Sequence, residues 1–130
     1  MNVETSITNG IKVSVETIYQ AEHSNPAESK FMFAYQVSIE NLSSDTVQLT
    51  RRHWFIADSD GSTHEVEGEG VIGQMPILSP GESHQYVSWS QLFTEVGKMY
   101  GYYSFVRETD GEMFKVKIPE FQLVTPSKMN

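Results

Sequence analysis

From Ile11 the chain alternates apolar and polar positions with a period of two. Ile11, Val13, Val15, Thr17 and Tyr19 fall on one face and Lys12, Ser14 and Glu16 on the other. Successive strand side chains point to opposite sides, so this spacing predicts a β-strand with one wet face. Gln20 to Lys30 is a polar loop containing Asn25-Pro26. Phe31 to Asn41 alternates again, with Phe31, Phe33, Tyr35, Val37 and Ile39 set against Met32, Ala34, Gln36, Ser38 and Glu40. Leu42-Ser43-Ser44-Asp45 turns the chain. In Thr46 to Asp58 the phase slips, because Val47 and Leu49 share one parity while Trp54 and Ile56 share the other. A one-residue shift sends every later side chain to the opposite face, so a bulge is expected near Arg51-Arg52-His53.

Asp58-Ser59-Asp60-Gly61 reads as a hairpin turn into a strand from Ser62 to Glu67. Ser79-Pro80-Gly81-Glu82 suits a type II turn, with proline second and glycine third. His84 to Trp89 forms the next strand, with Gln85, Val87 and Trp89 on one face. Gln91 to Lys98 has room for one short helical turn ending at Gly97. Met99 to Arg107 is a tyrosine-rich strand, and Thr109-Asp110-Gly111 a hairpin signal. The chain returns as Met113 to Ile118, with Phe114, Val116 and Ile118 inward and Lys115 and Lys117 outward. Pro119 then interrupts before Phe121 and Leu123 add a last extended piece. About seven or more short strands without an amphipathic helix mean an all-β sandwich of two antiparallel sheets. The expectation is one domain over 1–130, with 1–6 and 125–130 as flexible ends.

The densest glycine stretch, Val66 to Pro76, contains a GxGxxG spacing at Gly68, Gly70 and Gly73. A dinucleotide site needs a helix after those glycines, because the helix N-terminus holds the pyrophosphate. Here Pro76 and Ser79-Pro80-Gly81 follow too soon for any helix to start. No Lys-Ser or Lys-Thr pair completes a P-loop. Glu67 and Glu69 would repel a phosphate unless a cation intervened. What remains is a loop with positive-φ glycines, a structural bend or a small nest of N–H groups.

A net charge of -8 over 130 residues argues against non-specific nucleic-acid binding, and Arg51-Arg52 is the one basic pair. The absence of cysteine removes disulfides, thiol nucleophiles and Cys-ligated zinc. No leader pattern or bilayer-length apolar run is read, so the expectation is a cytoplasmic protein with no membrane partner.

Several motifs in order then resemble the ApaG family over about Ile11 to Leu123. They are Phe33-Ala34-Tyr35, Ile39-Glu40-Asn41, Arg52-His53-Trp54-Phe55-Ile56, the run Val66 to Gly73 with Gln74-Met75-Pro76, and Leu78-Ser79-Pro80-Gly81-Glu82. Gly97, Met99, Gly101 and Tyr103 continue the pattern, and Ile118-Pro119-Glu120-Phe121-Gln122-Leu123 closes it. One departure is Trp89, where the family more often has a small residue. The resemblance implies an immunoglobulin/fibronectin type III-like sandwich. It also implies genetic links to cobalt tolerance and magnesium efflux, and proximity to a diadenosine tetraphosphate hydrolase. Protein binding is the role inferred for eukaryotic relatives.

The four histidines, His23, His53, His64 and His84, show no metal-ligand spacing. Asp58-Ser59-Asp60-Gly61 lacks the third ligand of a calcium loop and is a turn. G-x-S-x-G does not occur, so no catalytic residue is assigned and the chain is read as a non-enzyme without a cofactor. The expected function is a binding module for another protein, with Arg51, Arg52, Trp89, Tyr100 and Tyr102 as its interaction surface. The rival is a nucleotide or pyrophosphate sensor, in which Gly68, Gly70 and Gly73 supply N–H donors and Arg51 or Arg52 the charge. Magnesium would offset Glu67 and Glu69 there. A third reading, a divalent-cation binder, places the ion at Glu65, Glu67 and Glu69.

Overall fold

The computed structural model describes residues 3–128. Nine strands follow in chain order: β1 (Val3–Thr8), β2 (Ile11–Tyr19), β3 (Phe31–Asn41), β4 (Val47–Asp58), β5 (Thr63–Glu69), β6 (Ile77–Leu78), β7 (Ser83–Leu92), β8 (Val96–Arg107) and β9 (Met113–Val124). They build two antiparallel sheets, one ordered β1-β2-β3-β7 and the other β5-β4-β8-β9, with β6 beside β5 along the same edge of β4. Alternate side chains from both sheets fill the space between. Ile11, Val13, Val37, Ile39, Leu49, Tyr103, Phe105, Val116, Ile118 and Leu123 are all 0% exposed. Each such apolar side chain is worth about 1.5–3 kcal/mol of burial. No helix among the described residues is long and apolar enough to cross a membrane.

Several local expectations need correction. The stretch 1–6, expected to be a flexible end, includes most of β1, which pairs with β2 from Val3↔Glu16 to Thr8↔Ile11. Asn9 (φ 50) and Gly10 (φ 78) close that hairpin as a two-residue turn. Positive φ at both central positions matches the right-handed twist of the flanking strands. At the other end, Thr125 is buried and Pro126–Lys128 forms a 3-10 turn. Met1, Asn2 and residues 129–130 lie outside the described residues. The bulge in β4 falls between Leu49 and Arg51. Thr50 is therefore the extra residue, slightly ahead of the expected Arg51–His53.

Gln91–Lys98 holds no helical turn. It is shared between the end of β7 and the start of β8, because the Asp58 carboxylate accepts hydrogen bonds from the N–H groups of Phe93 (2.8 Å) and Thr94 (3.1 Å) and ties down the connection. Gly97 is buried there, and a Cβ would lie 2.6 Å from the Ala57 carbonyl oxygen, so only glycine fits the approach. Pro119 does not end its strand. β9 continues through it at a register shift, where Met99 pairs with Phe121 and Gly101 with Ile118. A bulge tolerates a residue with no N–H to donate.

The two long sides of the sandwich differ. On the β1/β9 side, Ser6 Oγ donates to the Lys117 carbonyl (2.8 Å), Asn9 Nδ2 to the Lys115 carbonyl (3.2 Å), and Lys117 N–H to Thr8 Oγ1 (3.3 Å). These bonds tie the two edge strands together, and a recess of about 610 Å³ lined by Glu4, Val15, Tyr19, Phe33 and Phe121 among others lies farther along that side. On the β5/β7 side, no hydrogen bond joins the two edge strands among the described residues, and a cleft opens between the sheets.

Candidate functional site in the open cleft

The Thr50 bulge decides which arginine faces the interior. Past it, Arg52, Trp54 and Ile56 share the inward parity, while Arg51, His53 and Phe55 point out. Arg52 Nη1 donates to the carbonyls of Glu69 and Gly70, both at 3.0 Å. Its guanidinium also lies flat on Gly68, where a Cβ would meet both terminal nitrogens at 3.2 Å. Gly68 and Arg52 thus do come together, but the loop offers the arginine its carbonyl oxygens rather than an anion its N–H groups.

Three other loop donors are spent within the fold. Gly70 N–H donates to the Thr50 carbonyl (2.8 Å), so the bulge anchors the glycine stretch. Val71 N–H donates to Gln74 (2.8 Å) and Gln74 N–H to Val71 (3.0 Å), around a two-residue turn at Ile72 (φ 47) and Gly73 (φ 71). Val71 at its base is 0% exposed and anchors the loop in the core. The loop returns through Pro76, whose carbonyl accepts from Leu49 N–H (3.0 Å). Gly68, Gly70 and Gly73 serve three different backbone needs, and the Gly70 N–H is committed to the Thr50 carbonyl.

The cleft between β5 and β7 has a volume of about 320 Å³ and is lined by Tyr35, Arg52, Trp54, Val66, Ser88 and Phe93 among others, with no carboxylate in its lining. Beneath Arg52 lies a buried phenol cluster. The hydroxyls of Tyr86 and Tyr103 hydrogen-bond each other. Burial pushes the phenols of Tyr35, Tyr86 and Tyr103 above the usual tyrosine range, and the Arg52 charge draws each partly back. Arg52 has no carboxylate within 4.0 Å among the described residues, and its Nε and Nη2 make no hydrogen bond there. Arg107 contrasts with it. It lines a smaller recess of about 110 Å³, where Asp45, Asp110 and Glu112 already neutralise it.

The outer face of the five-stranded sheet is a second feature. Register sets Glu69, Arg51, Ser104 and Lys115 in one row and Glu67, His53, Tyr102 and Lys117 in the next. Glu65, Phe55 and Tyr100 form a third. An acidic column, an aromatic band and a basic column result. His53 Nδ1 sits 2.9 Å from the Glu67 carboxylate and 3.1 Å from the Tyr102 hydroxyl. His53 stacks on Phe55 at 4.6 Å, and Phe55 on Tyr100 at 5.2 Å. His53 Nε2 is buried without a hydrogen bond, 3.7 Å from Glu65. The lysines already cover the aromatics, Lys115 lying 4.4 Å over the Tyr102 ring and Lys98 5.7 Å over Tyr100. Among the described residues, no group of three or more His, Asp or Glu side chains is placed to hold a metal ion.

Trp89 has the outward parity of the four-stranded sheet, in the row Ile18, Ala34, Trp89, with its ring edge-on to His23 at 4.9 Å, and it also lines the cleft. The expected single surface is therefore divided. Arg51, Tyr100 and Tyr102 share one outer face, whereas Arg52 and Trp89 both line the cleft, Trp89 from the outward parity of β7. Tyr35, Val66, Ser88 and Phe93 were not assigned to a common site from sequence, because strand order, which brings them together, is not written in local periodicity.

The chain is thus a small all-β sandwich with one pair of edge strands tied by hydrogen bonds and the other pair apart, flanking a cation-bearing cleft. The ApaG domain family matches residues 21–107, and the chain belongs to that family. Relatives named Protein ApaG include one from Brucella canis, 44% identical over 124 residues and 95% of each chain. Another, from Acidithiobacillus ferrooxidans, is 47% identical over 113 residues, covering 87% of this chain and 88% of its own. A crystal structure of a Bordetella pertussis protein, provisionally called ApaA, superposes with a TM-score of 0.86 at 43% identity, over 89% of this chain and 94% of that one.

Proposed function

We propose that this ApaG-family domain is a non-enzymatic module that binds another protein on the open β5/β7 side of its sandwich. The observation that carries the reading is the coincidence of a free strand edge with a cleft whose cation has no acidic partner. A larger recess of about 610 Å³ beside β2 and β9 has Glu4 in its lining and no Arg or Lys, and the other charged features are self-satisfied. β1 and β9 are tied together, Arg107 is neutralised, and the aromatic face is covered by lysine stems. Exposed apolar side chains rim the cleft, with Val66 at 41% and Phe93 at 53% exposure. Large apolar groups beside a fixed charge are typical anchors of protein interfaces.

Position-specific photocrosslinking in the native cell tests this. A photoreactive residue is placed at Phe93 or Val66, with Ile7 and Met113 as exposed controls away from the cleft. Discrete adducts from the two cleft positions, absent from the controls and lost on adding Arg52→Gln, are expected. Equal labelling from the controls, or none from the cleft, contradicts the proposal.

A further inference from the structure

Resting on that reading, we infer that the partner is captured as an extended segment that adds a strand to the free edge of β7. An Asp or Glu side chain of that segment meets Arg52, and an apolar side chain two positions away enters the cleft.

The four outer edges of the two sheets are not equally protected. β1 carries Glu4 and is tied to β9, which itself carries Lys115, Lys117, Pro119 and Glu120. β5 carries Glu65, Glu67 and Glu69. Charges, proline and coverage are the usual means of keeping an edge from pairing with another chain. β7 has none of them. Its ten residues, Ser83 to Leu92, include no Asp, Glu, Lys, Arg or Pro, although the chain as a whole carries 26 charged residues of these four types. One edge of β7 is paired with β3 along Phe31↔Leu92 to Glu40↔Ser83, and the other borders the cleft. A long, regular, uncharged edge is a template for strand addition, in which backbone hydrogen bonds give affinity and alternate side chains give specificity.

The alternation defines that specificity. On β7, Tyr86, Ser88 and Ser90 face inward, and Gln85, Val87 and Trp89 outward. An added strand continues the pattern, so every second partner side chain enters the cleft. Arg52 lines the cleft together with Ser88 and with Tyr35, the register partner of Ser88. Phe93 and Met99 line the other end. Inward side chains two residues apart stand about 6.8 Å apart along a strand. The next inward side chain beyond the carboxylate at Arg52, on the Phe93 side, is therefore two positions away. A planar fork with unused Nε and Nη2 donors matches a carboxylate bidentately. A polyphosphate would bring several charges to one arginine in a chain of net charge -8, and the Gly70 N–H that might assist is engaged by the Thr50 carbonyl.

The test uses the full chain and a displayed library of random linear peptides. Enriched peptides should share an acidic residue two positions from an apolar one. Replacing that acid by its amide in the synthetic peptide should weaken binding at least about tenfold, the usual range for a lost charged hydrogen bond. Proline at a β7-facing position of the peptide should abolish it, and bound peptide should slow amide exchange along Ser83–Leu92. Val66→Glu, which adds a carboxylate at the exposed cleft mouth, should weaken binding without touching the peptide or Arg52. No enriched peptide, an acid-to-amide change without effect, or protection mapping away from β7 would overturn the inference. Cleft-specific crosslinks persisting in that case would mean a folded partner surface, so strand addition would fall alone. Loss of both results would remove the parent reading as well.

Discussion

Replacing each glycine of the Gly68-x-Gly70-x-x-Gly73 spacing with alanine separates a backbone role from a phosphate role. Gly70 has φ 62, and an added Cβ would lie 2.2 Å from the Gln74 carbonyl oxygen. A left-handed backbone costs a non-glycine residue roughly 1–2 kcal/mol. The carbonyl must also retreat, disturbing the paired hydrogen bonds between Val71 and Gln74, each worth about 1 kcal/mol. Movement there lifts Val71 from the core, where its burial is worth about 1.5–2 kcal/mol. Gly70→Ala should therefore cost about 3–5 kcal/mol in urea unfolding, or roughly 10–20 °C in melting temperature for a domain of this size. Gly73 also has positive φ (71) but nothing within 4 Å of its Cβ position, so Gly73→Ala should cost only about 1–2 kcal/mol. At Gly68 the nearest atoms belong to the movable guanidinium of Arg52, and the loss should stay below about 1 kcal/mol. Equal losses at Gly70 and Gly73, or a neutral Gly70→Ala, would refute the steric account of the loop.

Two further outcomes follow from buried polar groups. Tyr35, Tyr86 and Tyr103 have folded-state pKa values raised chiefly by burial, so between about pH 10 and those higher values the unfolded chain loses protons that the folded chain keeps. Their stabilising contribution is complete below about pH 10. Above it, stability should fall by up to about 1.4 kcal/mol per pH unit for each tyrosine. Urea midpoints taken across that range and compared with Tyr86→Phe check the slope, and a flat profile contradicts it. Asp58 accepts from the N–H groups of Phe93 and Thr94 and from the Thr94 hydroxyl (3.0 Å), so Asp58→Ala should destabilise by about 2–4 kcal/mol while Asp58→Asn retains about half. A loss under about 0.5 kcal/mol in the same assay would mean that the β7–β8 connection is held by other contacts.

Alternation alone placed β2, β3 and most of β4, because each has one face in the core and one in water. The slip between Leu49 and Trp54 announced a bulge. Its position one residue earlier, at Thr50, settles which of Arg51 and Arg52 turns inward, and periodicity cannot resolve a single residue at that point. β1 escaped notice although Asn9-Gly10 is a strong hairpin signal. Val3 to Thr8 lies largely exposed and shows little apolar rhythm. Pro119 looked like a terminus because a missing donor usually ends a ladder, whereas a register shift accommodates it here. The glycine run adjoins the cleft through its backbone, because its carbonyls at Glu69 and Gly70 hold Arg52. The cleft itself depends on which strands lie at the sheet edges. An uncharged Ser83–Leu92 acquires meaning only once β7 is known to have no second neighbour.

The most direct test of the open-side account is an amide chemical-shift titration of uniformly labelled protein, first with magnesium-ATP and then with a library-selected acidic–apolar peptide. Saturable shifts along Ser83–Leu92 and at Arg52 with the peptide, and none centred on Gly68–Gly73 with magnesium-ATP, are the predicted result. Saturable nucleotide shifts on the glycines, with β7 silent to the peptide, would contradict the account and restore the loop as a phosphate site.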